Sequence, residues 1–372
     1  MTNLVAATAI AASLKRDNLV VGVEDERDYN YPEVGVQRPL EQRSNNRIYY
    51  PRIEDQLTLG SCTAHATTTG AESISAVFTP NYVQRSRRFN YKWSRFLDGL
   101  VGDSGATPRN ALKAAQKFGL PDEALWPYDV ANYDAAPSAE AMADGANHKL
   151  GRYEKIEVTA EDRENPRARL VPLMEDALIK GNRLVIAFEV RRWMFFVNGP
   201  LGSAGHQAPA MSNSDPMNDI MGFHMTALAD YDRTLHPASG GAFLIPQSWG
   251  TGLGEGGWWS FNYMLLPHVR EVWVIRGFDG HNVTAAPATP LTPEEVISDW
   301  KDLIDLGIAV ADPYRMNPVF DLFHYVIWRR LQRKGRTPAQ ADQVLNLPPG
   351  TVADFLTNPA NGPRLAAWAA LM

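Results

Sequence analysis

Cysteine is almost missing from this sequence: its 372 residues include a single one, Cys62. A lone thiol excludes an intrachain disulfide and any metal site built on several thiolates. It leaves Cys62 as either buried packing or a reactive group. A basic surplus is also missing. Lys and Arg total 36 against 42 Asp and Glu, a formal net charge of −6, which is not the footprint of a general nucleic-acid binder. No apolar run suits a membrane span. The longest, 184–197, is broken by Glu189, Arg191 and Arg192 and reads as a strand with its following turn. Repeats and low-complexity segments are absent, and no His-Glu-x-x-His or Cys/His cluster suggests a metal or other cofactor. In the Ala-rich stretch 4–14, Lys15 and Arg16 follow the apolar part, the reverse of a secretory signal. The expectation is a cytoplasmic protein, or one held within a macromolecular assembly such as a virion.

What is present is ordinary globular composition, 45% hydrophobic and 21% charged, enough for one large domain and a small one. Residues 1–44 read as an N-terminal arm with little core of its own, and 45–283 as the main domain. A Pro/Ala-rich linker at 284–290 precedes a helical module over 291–372. The main domain shows helix signals at 62–77, 111–118 and 174–180, the last two stopped by Gly119 and Gly181. Strand signals follow at 184–190, 225–231, 242–249, 258–261 and 271–276. Helices first and strands afterwards imply an α+β domain. In the tail, Thr292 with Glu295 forms a capping box, a second helix covers 318–334, and short helices start at Pro338, Thr351 and Pro363.

The chemistry concentrates around Cys62. The turn Gly60-Ser61 delivers the thiol to the first turn of a helix, where unpaired N–H groups and the positive helix end favour a thiolate. Gln56 lies six residues upstream; its side-chain amide and the Cys62 backbone N–H form a candidate oxyanion hole. A thiol nucleophile needs a base. His224, at the start of an apolar strand, has the best context, and the strand end Gln247-Ser248-Trp249-Gly250 offers an amide to orient it.

These segments resemble the papain family of cysteine peptidases, closest to its bacterial-type branch without disulfides. Gln56 and Gly60-Ser61-Cys62 match the family's glutamine and nucleophile motif, His224 its strand histidine, and Gln247-Ser248-Trp249-Gly250 its Asn-Ser-Trp-Gly. Asp103-Ser104-Gly105-Ala106 and Glu123-Ala124-Leu125-Trp126-Pro127-Tyr128-Asp129 also look familiar. The resemblance covers residues 45–278 in order. It implies a helical left lobe and a β-barrel-like right lobe meeting at a cleft, with an all-α C-terminal module added. It also implies that Cys62, His224, Gln247 and Gln56 are catalytic, that Gly105, Ala106 and Trp249 bind substrate, the first two through its main chain, and that Trp249 also shields the His224–Gln247 contact. Gln247 departs from the usual asparagine by one methylene. Leu59 stands where disulfide-bearing relatives carry a cysteine, which suits a reducing compartment.

Other features read more blandly. His65 shares a helix face with Cys62 and is expected as a packed or capping histidine; Ser61 and Ser248 are expected as structural. The glycines at 252–256 mimic a dinucleotide loop but lie between strands and open no helix. The basic run from Arg329 to Arg336 suits a solvated helix end, and the faint helix-turn-helix rhythm at 338–358 lacks basic residues on its second helix. The implied function is a cysteine endopeptidase acting on protein or peptide substrates, with no nucleic acid, membrane or cofactor. The alternative is a structural or assembly component, for instance of a bacterial virus particle, that reuses the fold and meets partners through the arm and the C-terminal helices. Peptidoglycan amide cleavage is a third reading.

Overall fold

The structure, a computed structural model, describes residues 19–21, 28–32, 41–50, 52–78, 83–195, 218–252, 254–282, 338–339 and 351–358. The chain divides into two compact units, Met1–Thr284 and Ala285–Met372. In the second, a helix at Thr351–Thr357 stands where the sequence places a short one. The remainder of the C-terminal module, the linker, the basic run and the helix signal near the N-terminus lie outside the described residues.

The first unit begins with helices: α1 (Cys62–Phe78), α2 (Arg87–Asp98), α3 (Pro108–Lys117) and α4 (Ala139–Asn147). Strand β1 (Tyr153–Ile156) and helices α5 (Ala160–Glu164) and α6 (Leu170–Ile179) follow. Their starts are chemically defined. Ser86, Thr107 and Ser138 accept a backbone N–H of the first turn, and Thr159 with Asp162 closes a capping box; each such cap contributes about 1 kcal/mol. The sequence pattern does not anticipate α2, because two of its arginines face inward. Arg87 is buried against the Glu72 carboxylate, and Arg95 lies over the Tyr91 ring at 4.5 Å. Paired charges and stacked guanidinium planes hide the apolar period that would reveal the helix.

The rest is antiparallel sheet. β2 (Arg183–Arg191) lies between β3 (Ile220–Leu228) and β7 (Val269–Ile275), and β1 pairs with the far edge of β7. A second sheet is made by β4 (Asp230–Asp232), β5 (Ala242–Pro246) and β6 (Trp258–Asn262). A small hairpin, β8 (Gly277–Phe278) and β9 (His281–Asn282), completes the unit.

β2 is apolar almost throughout because both its faces are covered. Leu184, Ile186, Phe188 and Val190 join a core with α6 and the second sheet, including Met174, Phe243 and Phe261. Val185 and Ala187 join another with Met225, Ala227 and Trp273, which α1 completes through Cys62, Ala66, Ala71 and Ile74. Helix α1 thus packs directly on the sheet that carries β3.

Among the boundaries that differ from expectation, those of two strands bear on the site. The 225–231 strand is two elements, and β3 begins at Ile220, so His224 sits mid-strand opposite Phe188. β2 runs on to Arg191 and its ladder carries β3 back with it. The 242–249 strand ends at Pro246, which frees Gln247–Trp249 to turn toward α1.

Candidate active site

Each residue of the Gly60-Ser61-Cys62 turn is fixed by a separate contact. Asp103 Oδ1 accepts from the Gly60 N–H at 2.8 Å and from the Tyr91 hydroxyl at 2.6 Å. The Tyr91 oxygen in turn accepts from the Gly105 N–H at 3.1 Å. Tyr128 donates its hydroxyl proton to the Gln56 carbonyl (2.8 Å), so the Ser61 hydroxyl donates to Tyr128 Oη (2.7 Å). The Ser61 carbonyl accepts from the His65 backbone N–H at 3.0 Å and from the His65 ring Nδ1 at 3.1 Å. Cys62 follows as the first residue of α1 and is fully enclosed.

His65 is a packed histidine, as expected. It stands edge-on to Tyr128, and burial, aided by the Arg87 charge, pushes its pKa down to about 3.

Gln56 is held from the opposite side by the segment after β5. Its backbone N–H donates to the Ser248 carbonyl at 2.8 Å, and the Ser248 hydroxyl donates to Gln56 Oε1 at 2.6 Å. Gln56 Nε2 donates to the Leu59 carbonyl at 2.9 Å. The amide orientation is therefore set at both ends. Asp55 bridges to Trp249, and Gly250 donates to the Glu54 carbonyl. Gly250 has φ +73°, and a Cβ there would lie 2.9 Å from Asp55 Oδ2, so the close approach of the two segments needs glycine.

His224 is buried edge-on to Phe188 (5.7 Å) with the Trp249 ring 4.3 Å away. Its Nε2 lies 2.9 Å from Gln247 Oε1. A carbonyl oxygen only accepts, so Nε2 carries the proton and the basic lone pair is on Nδ1. Burial pushes the His224 pKa down to about 3, and the Gln247 bond offsets part of this. The longer side chain has a cost. Gln247 Nε2 is buried with no hydrogen-bond partner among the described residues.

The sequence-predicted residues thus fall into two groups on one seam. Gln56, Gln247 and Trp249 are joined through the paired segments 54–56 and 248–250, His224 joins them through Gln247, and Cys62 follows Gln56 along the chain at the start of α1. Cys62 shares a buried cluster with Met225, the neighbour of His224 in β3. Gly105 and Ala106 flank the turn from the other side. The Gly105 N–H is spent on Tyr91, whereas the Ala106 carbonyl accepts from the Val20 N–H at 3.2 Å, so a piece of the N-terminal arm lies on this loop.

Sequence reasoning missed the positioning done by Asp103, Tyr91 and Ser248. Asp103 and Ser248 lie inside quoted motifs, but their partners are distant in sequence. Among the described residues, no group of three or more His, Cys, Asp or Glu gathers as for a metal ion, and no helix is long and apolar enough to cross a membrane.

No family model matches the chain. It is 26% identical over 227 residues to an uncharacterized peptidase C1-like protein of Acanthamoeba polyphaga mimivirus, spanning 60% of this chain and 68% of that one. Among solved structures it is similar to xylellain, a cysteine protease from Xylella fastidiosa, with a TM-score of 0.58 and 24% identity over 70% of this chain and 95% of that one. It is also similar to digestive procathepsin L 3 from the larval midgut of Tenebrio molitor, with a TM-score of 0.51 and 17% identity over 72% and 79% of the two chains. The fold is therefore papain-like and α+β.

Proposed function

We propose that the chain is a cysteine endopeptidase in which Cys62 attacks the peptide carbonyl and His224 moves the proton. The observation that carries this reading is the 2.9 Å bond from His224 Nε2 to Gln247 Oε1 beside the Trp249 ring. It sets the tautomer, with the proton on Nε2 and the basic lone pair on Nδ1, the atom that would take the thiol proton. Nδ1 takes the thiol proton as Sγ bonds to the carbonyl carbon. The oxyanion takes the Cys62 N–H at the helix start and a Gln56 Nε2 proton. The imidazolium then protonates the leaving amine, the C–N bond breaks, and water, deprotonated by His224, hydrolyses the thioester. Gln247 orients His224, Trp249 covers that contact, and the Ala106 carbonyl meets substrate main chain once the Val20 N–H leaves it.

The name of the mimivirus relative and the protease neighbours support peptide bonds as the target over cell-wall amides. The test is incubation of the parent and Cys62→Ala with an unfolded protein and with peptidoglycan. Peptide release from the protein by the parent alone is the expected result; release from peptidoglycan alone would replace the substrate class.

A second reading has its own observation. Cys62 and His224 are both 0% exposed, and the arm lies on Ala106. A scaffold that reuses this fold, meeting partners through the arm and the C-terminal helices, suits an enclosed pair, and a viral relative is compatible with such a setting. Assembly unchanged in Cys62→Ala, with no hydrolysis by the parent, would favour it.

A further inference from the structure

Leu57 directly follows Gln56 and has φ +52°, a left-handed conformation that is an outlier for a bulky side chain. It is nevertheless 46% exposed, so packing among the described residues repays little of the strain. The conformation is imposed by its surroundings. The Leu57 N–H donates to Asp55 Oδ1 at 2.8 Å, Asp55 bridges to Trp249, and Gln56 is tied to Ser248 on both backbone and side chain. A scattered exposed leucine needs no explanation. One held in a costly conformation beside the proposed oxyanion donor points to use by a ligand.

The two ends of the Glu54–Cys62 segment have different neighbours, and this orients the side chain relative to substrate. The Gly60 end is tied through Asp103 and Tyr91 to Gly105, in the loop proposed above to meet the acyl half. The Leu57 end is tied to Trp249, which covers His224, the group that hands its proton to the departing amine. Resting on the peptidase reading above, we infer that Leu57 is a specificity-determining residue that contacts an apolar side chain on the leaving-group half of the peptide.

The test uses the full chain and internally quenched peptides that share one acyl half and carry Leu, Gly or Lys at the two positions after the cut, with the cut site mapped by mass spectrometry. The parent is expected to favour Leu over Gly by about tenfold in kcat/KM, the scale of one apolar side chain in a specificity pocket. Leu57→Gly is expected to reduce that ratio to about twofold or less without lowering the melting temperature, since glycine accepts the backbone conformation. Leu57→Glu is expected to favour Lys over Leu, a gain that a merely structural role would not produce. Ratios unchanged in both variants, or a lower melting temperature for Leu57→Gly, would overturn the inference alone. Failure of the parent to cleave any of the peptides would overturn the peptidase reading and the inference with it.

Discussion

Gln247 shows how one methylene shifts the balance at a buried contact. Its carbonyl reaches His224 Nε2 at 2.9 Å, while its amide nitrogen is buried without a partner among the described residues. The carbonyl is thus used as an acceptor, and a stranded donor is the cost. Stranding a buried polar group costs about 1–3 kcal/mol. Gln247→Ala would transfer that loss to the His224 N–H and release the ring to rotate. The expected outcome is a fall in kcat/KM of about ten- to a hundredfold, the same free energy expressed as a rate. Steady-state kinetics on one fluorogenic peptide would check it; an unchanged rate would mean that Trp249 and Phe188 alone hold the ring. At this scale the sequence was informative because the key residues sit in short local motifs. Ser248 was read as structural because its partner, Gln56, is 192 positions away, and nothing local announces a serine's distant acceptor.

Among elements, the contact between the start of α1 and the loop before α3 stands out. Asp103 does the joining: one carboxylate oxygen holds both the Gly60 N–H and the Tyr91 hydroxyl, and Tyr91 holds Gly105. Hydrogen bonds to a charged acceptor contribute about 1.5–3 kcal/mol each, so Asp103→Ala is expected to lower the melting temperature clearly. Tyr91→Phe, which releases only the Gly105 side, is expected to raise KM more than it lowers kcat. Thermal melts and Michaelis–Menten analysis check the pair; equal kcat losses in both would contradict the division of labour.

The nucleophile turn was legible from Gly60-Ser61 and the helical run behind it. The clamp was not, since an aspartate 43 residues from the N–H that donates to it has no periodic signature. Helix α2 escaped for a related reason, because its buried Arg87 and Arg95 are read as solvent-facing until Glu72 and Tyr91 are seen against them. β2, by contrast, declared itself: the apolar run 184–188, bounded by Arg183 and Glu189, requires cover on both faces, and α1 and α6 supply it.

For the molecule as a whole, layered cores bring together segments from opposite ends of the first unit. Residues 54–62 open the helical part, His224 comes from the first sheet, and 247–250 leave the second. No single stretch of sequence contains this seam; order and spacing of motifs signalled it, and the packing of α1 on the β2–β3 ladder builds it. The same packing encloses the thiol and the imidazole, and this separates the peptidase from a scaffold of identical shape: a peptidase must open to admit a peptide, whereas a scaffold need not.

The most direct measurement is covalent capture of Cys62 by a peptidyl epoxide under native, reducing conditions, read by intact mass and peptide mapping in the parent and in His224→Ala. One adduct per chain, on Cys62, that forms in the parent and not in the variant is the predicted result. An adduct that forms only after denaturation, or equally fast without the imidazole, would contradict it.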